Sequence, residues 1–401
     1  MEKLTWEELE EIRLDKLNKL LNHFTKKEFY KNYCSENSVI HRPLNHIDEL
    51  KRYPIVTKKF IRNNIDIIKK NNKTAVLRST SGSSGENFKF YISRKAKSKH
   101  AASKHYFNHI NGIQQHKGKT IGIWGGNLQK PEISQTIIRM KHLLLDTTVL
   151  PGYAMDDAKA IEYINIINSQ KPRELYGYPS YLYKIADVGI KNNMSCYTPP
   201  IIVSSGEQLQ PYQRETIEEF FNCKILNKYG SCEFSVIAHE TFKDQELLIN
   251  STQFIVETND KNELLVTDLD NYATPFIRYN IGDMGEISRL GNRYFLKEIY
   301  GRANDVIETP TGKMIPSQFW TILSRTVDGI INYQIVQDDE SNLTMNMIVS
   351  SQFDNNKSIS KLKRGFRDNF GDEMNLIFKF VDHIELTNFG KRKFVIKKVK
   401  S

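Results

Sequence analysis

The chain reads as an α/β protein of two domains. Residues 1–300 are expected to form a large domain of mixed, mainly parallel sheets flanked by helices, and residues 301–401 a small α+β domain. Three observations predict this. With 401 residues, the chain is longer than one hydrophobic core ordinarily serves. From Val76 onward, short apolar runs alternate with amphipathic segments in the order strand, loop, helix, strand. After about residue 250 the texture turns to short β runs separated by Asn, Asp and Gly.

Residues 1–50 are predicted to be helical, with Leu17, Leu20 and Leu21 at helical spacing. Tyr53-Pro54 ends that region and Val56–Lys59 begins the next. Thr120–Trp124 is a buried strand and Trp124–Asn127 the loop after it, followed by a helix over 132–145. Asp156 and Asp157 open a further helix, with Ala160, Ile161, Ile164 and Ile167 on one face. Glu174–Tyr178 is a strand, and Pro179 opens a helix. Pro200–Ser204 and Lys224–Tyr229 are strands on either side of a helix over Tyr212–Phe221. This alternation predicts parallel α/β units with right-handed crossovers, whose ligands sit at the strand C-termini. Phe254–Glu257, Glu263–Thr267 and Tyr294–Lys297 are the later β runs. Gly301-Arg302 opens the last segment, which carries helices over 316–326 and 357–370.

Hydrophobic residues are 39% and charged residues 26%, the mixture of a globular chain rather than a disordered or fibrous one. No apolar run approaches the ~20 residues that span a bilayer. The acidic, helical N-terminal stretch has no apolar signal core, so a cytoplasmic location is expected. The net charge of +10 is concentrated near the C-terminus, where KLKR and GKRKFVIKKVK occur. It reads as a solvated basic surface. No zinc finger, basic zipper or RNP-type motif accompanies it, so nucleic acid is not expected as a partner. Cys34, Cys196, Cys223 and Cys232 form no C-x-x-C pair, so reduced thiols are expected rather than a zinc cluster or redox dithiol.

Ser79-Thr80-Ser81-Gly82-Ser83-Ser84-Gly85 is a run of small residues that cannot build a core. Such a run serves either as a flexible linker or as a loop whose backbone N–H groups and hydroxyls wrap a polyphosphate. It lacks the Lys of a Walker loop. The β-like flanks Val76-Leu77 and Phe88–Ile92 favour the loop of a hairpin. Asn227-Lys228-Tyr229-Gly230-Ser231-Cys232-Glu233 follows a predicted strand. Its Tyr can offer a face to a planar base, and its Glu can reach a magnesium ion that bridges phosphates. An ordinary strand end with a surface Glu reads the same way. In Arg278-Tyr279-Asn280-Ile281-Gly282-Asp283 the carboxylate suits the two hydroxyls of a ribose, although Asp is also a common turn cap. Gly301–Ile307 and an isolated Gly390-Lys391 complete the set. Each is weak alone; their order and spacing together are specific.

Together these motifs resemble the acyl-adenylate-forming superfamily of acyl-CoA synthetases, peptide-synthetase adenylation domains and luciferases. Within it the chain is most similar to the phenylacetate–CoA ligase branch, which includes capsule-biosynthesis relatives often called CapK. Pro275–Asp283 matches that branch's P-x-x-R-Y-x-x-G-D, and Leu50–Lys59 looks like its N-terminal segment. The resemblance covers nearly the whole chain.

The resemblance implies a large adenylation domain and a small mobile C-terminal lid, with ATP and magnesium as cofactors and CoA as a possible acceptor. It implies a phosphate loop over Ser79, Thr80, Ser81, Gly82, Ser83, Ser84 and Gly85, and an adenine-side loop at Ser205, Gly206 and Glu207. It gives Asn227 and Tyr229 contact with the adenine, with Gly230, Ser231 and Cys232 in the same nucleotide-binding segment. Glu233 becomes the magnesium carboxylate, Asp283 the ribose ligand and Arg302 a nearby ribose or phosphate contact. Lys391 is the catalytic lysine, and Asn304 the hinge. Cys232 stands where many relatives have Thr or Ser, Asn304 where they have Asp or Lys, and a Pro common before Gly-Lys is missing from Leu386–Phe389.

The carboxylate pocket is expected to draw on Trp124, Tyr178 and Ser204, in loops that follow strands on one sheet edge; core packing is the competing reading of Trp124 and Tyr178. The expected activity joins a small carboxylate to an acyl acceptor, CoA first. An amide- or ester-forming ligase acting on an amine or sugar precursor in surface-polysaccharide synthesis is the alternative. A non-enzymatic polyanion-binding protein is the reading from another class. Neither the acid nor the oligomeric state is legible.

Overall fold

Local signals account for most of the elements. The computed structural model describes residues 4–72, 74–80, 88–113, 118–124, 146–152, 155–244, 246–302, 307–311, 314–315, 317–324, 326–384 and 395–398. Thr5 caps α1 (Trp6–Thr25): its hydroxyl accepts from the Glu8 N–H at 3.2 Å, and Glu8 Oε2 accepts from the Thr5 N–H at 2.8 Å. That reciprocal pair is a capping box. Leu9, Leu17, Leu20, Leu21 and Phe24 form the buried side of the helix. Short helical pieces follow: α2 (Glu28–Glu36), a 3-10 turn (Ile47–Arg52), α3 (Lys58–Asn63) and α4 (Ile65–Asn71). β1 (Val76–Thr80) and β2 (Phe88–Ile92) pair antiparallel, and Thr80 opposite Phe88 closes the ladder. α5 (Arg94–Ile110) starts at Ser93, whose hydroxyl accepts from the Ala96 N–H at 3.1 Å.

The parallel strands are β3 (Thr120–Trp124), β4 (Thr147–Pro151), β5 (Glu174–Gly177), β6 (Ile201–Ser205) and β7 (Ile225–Tyr229). Between them come α6 (Asp157–Gln170), α7 (Pro179–Lys191) and α8 (Pro211–Phe221). Asp156 caps α6 through the Lys159 N–H at 2.8 Å. The chain continues with β8 (Ala238–His239), β9 (Leu247–Ile249), β10 (Phe254–Thr258), β11 (Glu263–Asp268), β12 (Tyr279–Leu290) and β13 (Arg293–Arg302). All eleven strands join one sheet in the order β10-β11-β12-β13-β9-β8-β7-β6-β5-β3-β4. Neighbours from β4 to β7 are parallel, while β7–β8, β8–β9 and β9–β13 are antiparallel. The sheet is therefore mixed, as expected, with its parallel part gathered at one end.

On one face of the parallel part, Ile164 and Ile167 of α6, Leu182 and Ile185 of α7, and Ile217 and Phe221 of α8 pack on Ile121, Ile123, Leu175, Ile202 and Ile225. All are buried, and each such side chain contributes about 1.5–3 kcal/mol. α5 covers the other face. Its Phe107 packs with Val236, Leu248 and Phe295. Polar contacts hold it in register: His100 Nε2 lies 2.8 Å from Asp268 Oδ2, and the Ser103 hydroxyl donates to Gln253 Oε1 at 2.5 Å.

The chain divides into two compact units, one of Met1–Asn259, Leu265–Ile281 and Glu286–Glu298, the other of Asp260–Leu264, Gly282–Gly285 and Ile299–Ser401. The second has its own core. β16 (Ile330–Gln337) and β17 (Asn342–Val349) are antiparallel, and β18 (Asn375–Phe380) and β19 (Val395–Lys397) add to their outer edges in parallel. A two-stranded ladder pairs β14 (Ile307–Glu308) with β15 (Met314–Ile315). Trp320 of α9 (Ser317–Ser324) stacks at 5.7 Å on Phe366 of α10 (Asn355–Phe370), over Met345, Met347 and Leu343. Among the described residues, no helix is long and apolar enough to cross a membrane.

Candidate active site

The parallel strands β3, β5, β6 and β7 end side by side, and the segments leaving them carry most of the residues singled out above. On β6, the buried Ser204 hydroxyl donates to Asn227 Oδ1 of β7 at 3.3 Å, across the register pair Ser204–Asn227. The Ser205 hydroxyl donates to the Lys228 carbonyl at 3.1 Å. Gly206 follows at φ +85°, and a Cβ there would lie 2.5 Å from the Tyr178 ring. Both facts demand glycine.

Glu207 has a structural task. α7 begins at Pro179 without a side-chain cap of its own. Glu207 Oε2 accepts from the Ser180 N–H at 3.3 Å and places a negative charge at the positive end of that helix. Tyr178 is only 3% exposed; it lies 4.3 Å from Trp124 and 5.4 Å from Tyr181, ring to ring. Burial, with Glu207 nearby, holds its phenol well above the usual range. It belongs to the wall of the site, whereas Trp124 is partly exposed at the end of β3.

The turn after β7 is tight. A Cβ on Gly230 would lie 1.7 Å from the Ser235 carbonyl oxygen. Ser235 adopts φ +63°, and its N–H donates to the Ser231 carbonyl at 2.8 Å. The Ile237 N–H then donates to the Tyr229 carbonyl at 3.0 Å, so the chain reverses into β8. Within this turn the Glu233 N–H donates to Ser231 Oγ at 3.2 Å, and the Glu233 carboxyl, 4% exposed, accepts from the Tyr279 hydroxyl at 3.2 Å. Tyr279 is fixed among Phe88, Phe234 and Phe276. Cys232 is exposed. Behind Asn227, Glu240 Oε2 accepts from the Asn227 N–H at 2.8 Å while both its oxygens take Arg214 Nη2.

Ser79 and Thr80 end β1, at the mouth of the hairpin loop. Ser81, Gly82, Ser83, Ser84 and Gly85 lie outside the described residues, as do Asn304, Lys391 and the helix expected over 132–145. Asp283 stands on β12 and groups with the second compact unit. Arg302 is described in its backbone, as the last residue of β13.

Two segments that carried the resemblance are tied to each other. The Arg278 side chain donates from Nη1 to the Lys51 and Tyr53 carbonyls at 2.8 and 2.7 Å, and the Asn280 N–H donates to the Val56 carbonyl at 2.9 Å. Arg278 holds φ +47° to do so, a conformation that costs a non-glycine residue energy.

The opposite face of these strands carries a polar group that sequence reasoning missed. Lys228 alternates with Asn227 and Tyr229 along β7, and so points to the α5 side. Its Nζ lies 5.7 Å from the centre of the Tyr176 ring, and Lys104 Nζ of α5 lies 5.2 Å from the same ring and 3.1 Å from Glu174 Oε1. Burial, reinforced by Lys104 and opposed by Glu174, pulls the Lys228 ammonium down to about 8. Burial likewise brings the neighbouring His239 down to about 3. A lysine inside a strand covered on both faces was the available signal.

The family model described as the CapK C-terminal domain matches residues 307–398. Protein CapK of Staphylococcus aureus is 29% identical over 409 aligned residues, covering 98% of this chain and 90% of that protein. Among solved structures, 2-hydroxyisobutyryl-CoA ligase in the postadenylation state, in complex with R3-HIB-AMP, superposes with a TM-score of 0.74 at 17% identity, over 96% of this chain and 89% of that one. The amide bond synthetase McbA from Marinactinospora thermotolerans gives 0.59 at 15% identity, over 80% and 68% of the two chains.

Proposed function

The chain belongs to the acyl-adenylate-forming superfamily, in its CapK-like branch, and from that premise we propose that it is an ATP-dependent ligase that activates a carboxylate as an acyl-AMP. The observation that carries the proposal is the junction of β6 and β7. There two neighbouring parallel strands end in Ser204–Glu207 and Asn227–Glu233, joined by the Ser204–Asn227 hydrogen bond. It is the strand-end position at which open α/β sheets take nucleotides.

Asn227 and Tyr229 recognise the adenine, Gly206 lets it approach the backbone, and Asp283 takes the ribose hydroxyls. Ser79, Thr80 and the small residues through Gly85 wrap the phosphates. A carboxylate oxygen attacks the α-phosphorus, the bond to the bridging oxygen breaks, and pyrophosphate leaves with its electron pair. Lys391, assigned from sequence, neutralises charge on the α-phosphate and the attacking carboxylate. The chain supplies position and charge rather than a covalent intermediate. An acceptor nucleophile then attacks the acyl carbon, loses its proton and releases AMP.

Magnesium fits the donor set. Such ions take one or two protein carboxylates with substrate phosphates and waters. Glu233 is buried, and the Tyr279 hydroxyl donates to one of its carboxyl oxygens, Oε1. Glu233 would hold the ion, which supplies charge neutralisation on the phosphates.

CoA is the first candidate acceptor, in line with the ligase superposition. The likeness to an amide bond synthetase and to protein CapK supports a second reading, transfer to an amine or sugar precursor in capsule synthesis. A cytoplasmic site of action accords with either. Product analysis tests the activation and separates the acceptors. Acid-dependent formation of AMP and pyrophosphate is expected, faster with CoA than with amines or nucleotide sugars; ADP and phosphate instead would exclude adenylation. The polyanion-binding alternative predicts salt-sensitive DNA or RNA binding without AMP formation. Two of the C-terminal cations already face carboxylates, Lys398 with Asp338 at 2.8 Å and Arg367 with Asp372 at 3.0 Å.

A further inference from the structure

Lys228 is a cation with nothing to hold. Its ammonium has no ion-pair or hydrogen-bond partner among the described residues; it lies over the face of Tyr176, 5.7 Å from the ring centre. Glu174 opposes the effect of burial on this ammonium from a distance but pairs with Lys104, and His239 is uncharged. Glu174 Oε1 is bound to Lys104, and Glu174 Oε2 is buried without a partner. His239 Nδ1 donates to the Glu240 carbonyl at 2.6 Å. The facing positive charge is Lys104 on α5, so among the described residues Lys104 and Lys228 place two ammoniums beside the Glu174 carboxylate. Half-burying an ammonium without a counter-charge is costly, and that cost is recovered when an anion arrives.

The surroundings have the form of a binding trough. Tyr176 is the floor: its ring lies over Gly122 of β3, where a Cβ would sit 2.6 Å from it. Trp124 rises from β3 with its ring 5.9 Å from that of Tyr176. Lys228 rises on the far side, from β7, in line with Ser205 of β6. Trp124 and Lys228 thus stand at the C-terminal ends of their strands, with Tyr176 one side-chain pair deeper. Each of the three is partly exposed.

We propose that the acid activated by this chain carries a second carboxylate, and that Lys228 holds that group across the Tyr176 floor while the first carboxylate is adenylated. The inference rests on the adenylate-forming reading and adds to it a substrate class, a dicarboxylic acid, with Lys228 as the residue that selects it.

The test compares α,ω-dicarboxylates of four to eight carbons with the monocarboxylates of the same length, in pyrophosphate–ATP exchange without an acceptor. Wild type is set beside Lys228→Met, which keeps the stem and removes the charge, and Lys228→Arg, which keeps the charge. Because each ratio is taken within one protein, partial misfolding cancels. Wild type is expected to favour at least one diacid over its monoacid by about tenfold or more, the scale of a charge-assisted bond. Lys228→Met should abolish that preference with monoacid exchange retained, and Lys228→Arg should keep it. Exchange with monoacids but no preference for a diacid, or a preference that survives Lys228→Met, overturns the inference and leaves adenylation standing. If the exchange ratios are unchanged and, in a separate assay of acyl transfer, Lys228→Met raises only the KM of an anionic acceptor, the cation serves the acceptor and the inference is also overturned. No exchange with any acid overturns adenylation itself.

Discussion

Tyr279 donates its hydroxyl hydrogen to Glu233 at 3.2 Å, joining the start of β12 to the turn after β7. The phenol is locked by Phe234 and Phe276, with ring centres 5.9 and 4.9 Å away. It therefore acts as a fixed stop for the carboxylate proposed to hold magnesium. Tyr279→Phe should preserve the fold and raise the magnesium concentration needed for half-maximal rate by about tenfold, the usual cost of losing a group that orients a metal ligand. A magnesium titration of the exchange rate checks this; an unchanged requirement would show that Tyr279 only packs.

Gly230→Ala has no room. The new Cβ meets a backbone oxygen at 1.7 Å, which cannot swing away as a side-chain tip can. The turn must open, at about 1–3 kcal/mol or more, and Glu233 moves with it. Thermal unfolding should show a lower midpoint, and nucleotide titration a weaker ATP affinity.

Arg278→Met should destabilise the large unit by about 2–4 kcal/mol. It removes both hydrogen bonds from Nη1 to the Lys51 and Tyr53 carbonyls and leaves a non-glycine residue at φ +47° without them. Denaturant unfolding measures the loss. A midpoint shift well under 1 kcal/mol would contradict the tie between these segments.

His239 gives the protein an acid sensitivity of known sign. Its imidazole is buried, stacks at 5.1 Å on Phe107, and is held down to about 3 by burial, with Lys228 and Lys104 adding to the effect and its bond to the Glu240 carbonyl opposing it. In the unfolded chain a histidine titrates near 6.5. Between those values the unfolded state binds the extra proton, so stability is full above pH ~6.5 and falls as the pH is lowered toward 3. The slope from this residue approaches about 1.4 kcal/mol per pH unit. His239→Gln should remove that part of the slope, seen as a flatter dependence of unfolding free energy on pH.

Much of this was legible because it is local. Thr120–Trp124 was readable as a buried strand, the Asp156 cap as a helix start, Pro179 as a first helical position, and the small-residue run as lying between two β segments; the structure has each of these. What was not legible depends on partners far along the chain. Arg278 reads as one letter of a motif, and its two carbonyl acceptors lie more than two hundred residues earlier. Lys228 sits between two motif residues, and only the register of β5, β6 and β7 turns it toward Tyr176. Glu207 looked like a nucleotide-side residue, yet it also caps α7 from a neighbouring strand end. The helical reading of residues 1–50 overshot between α2 and the 3-10 turn, where Pro43 and the residues around it interrupt the pattern.

The most direct measurement is carboxylate-dependent exchange of labelled pyrophosphate into ATP over a mixed library of acids, with Lys391→Ala alongside. The account predicts exchange with wild type that requires an acid and magnesium and that falls by orders of magnitude in Lys391→Ala, which still binds ATP. Wild-type protein that binds no ATP, or exchange undiminished in Lys391→Ala, would contradict it.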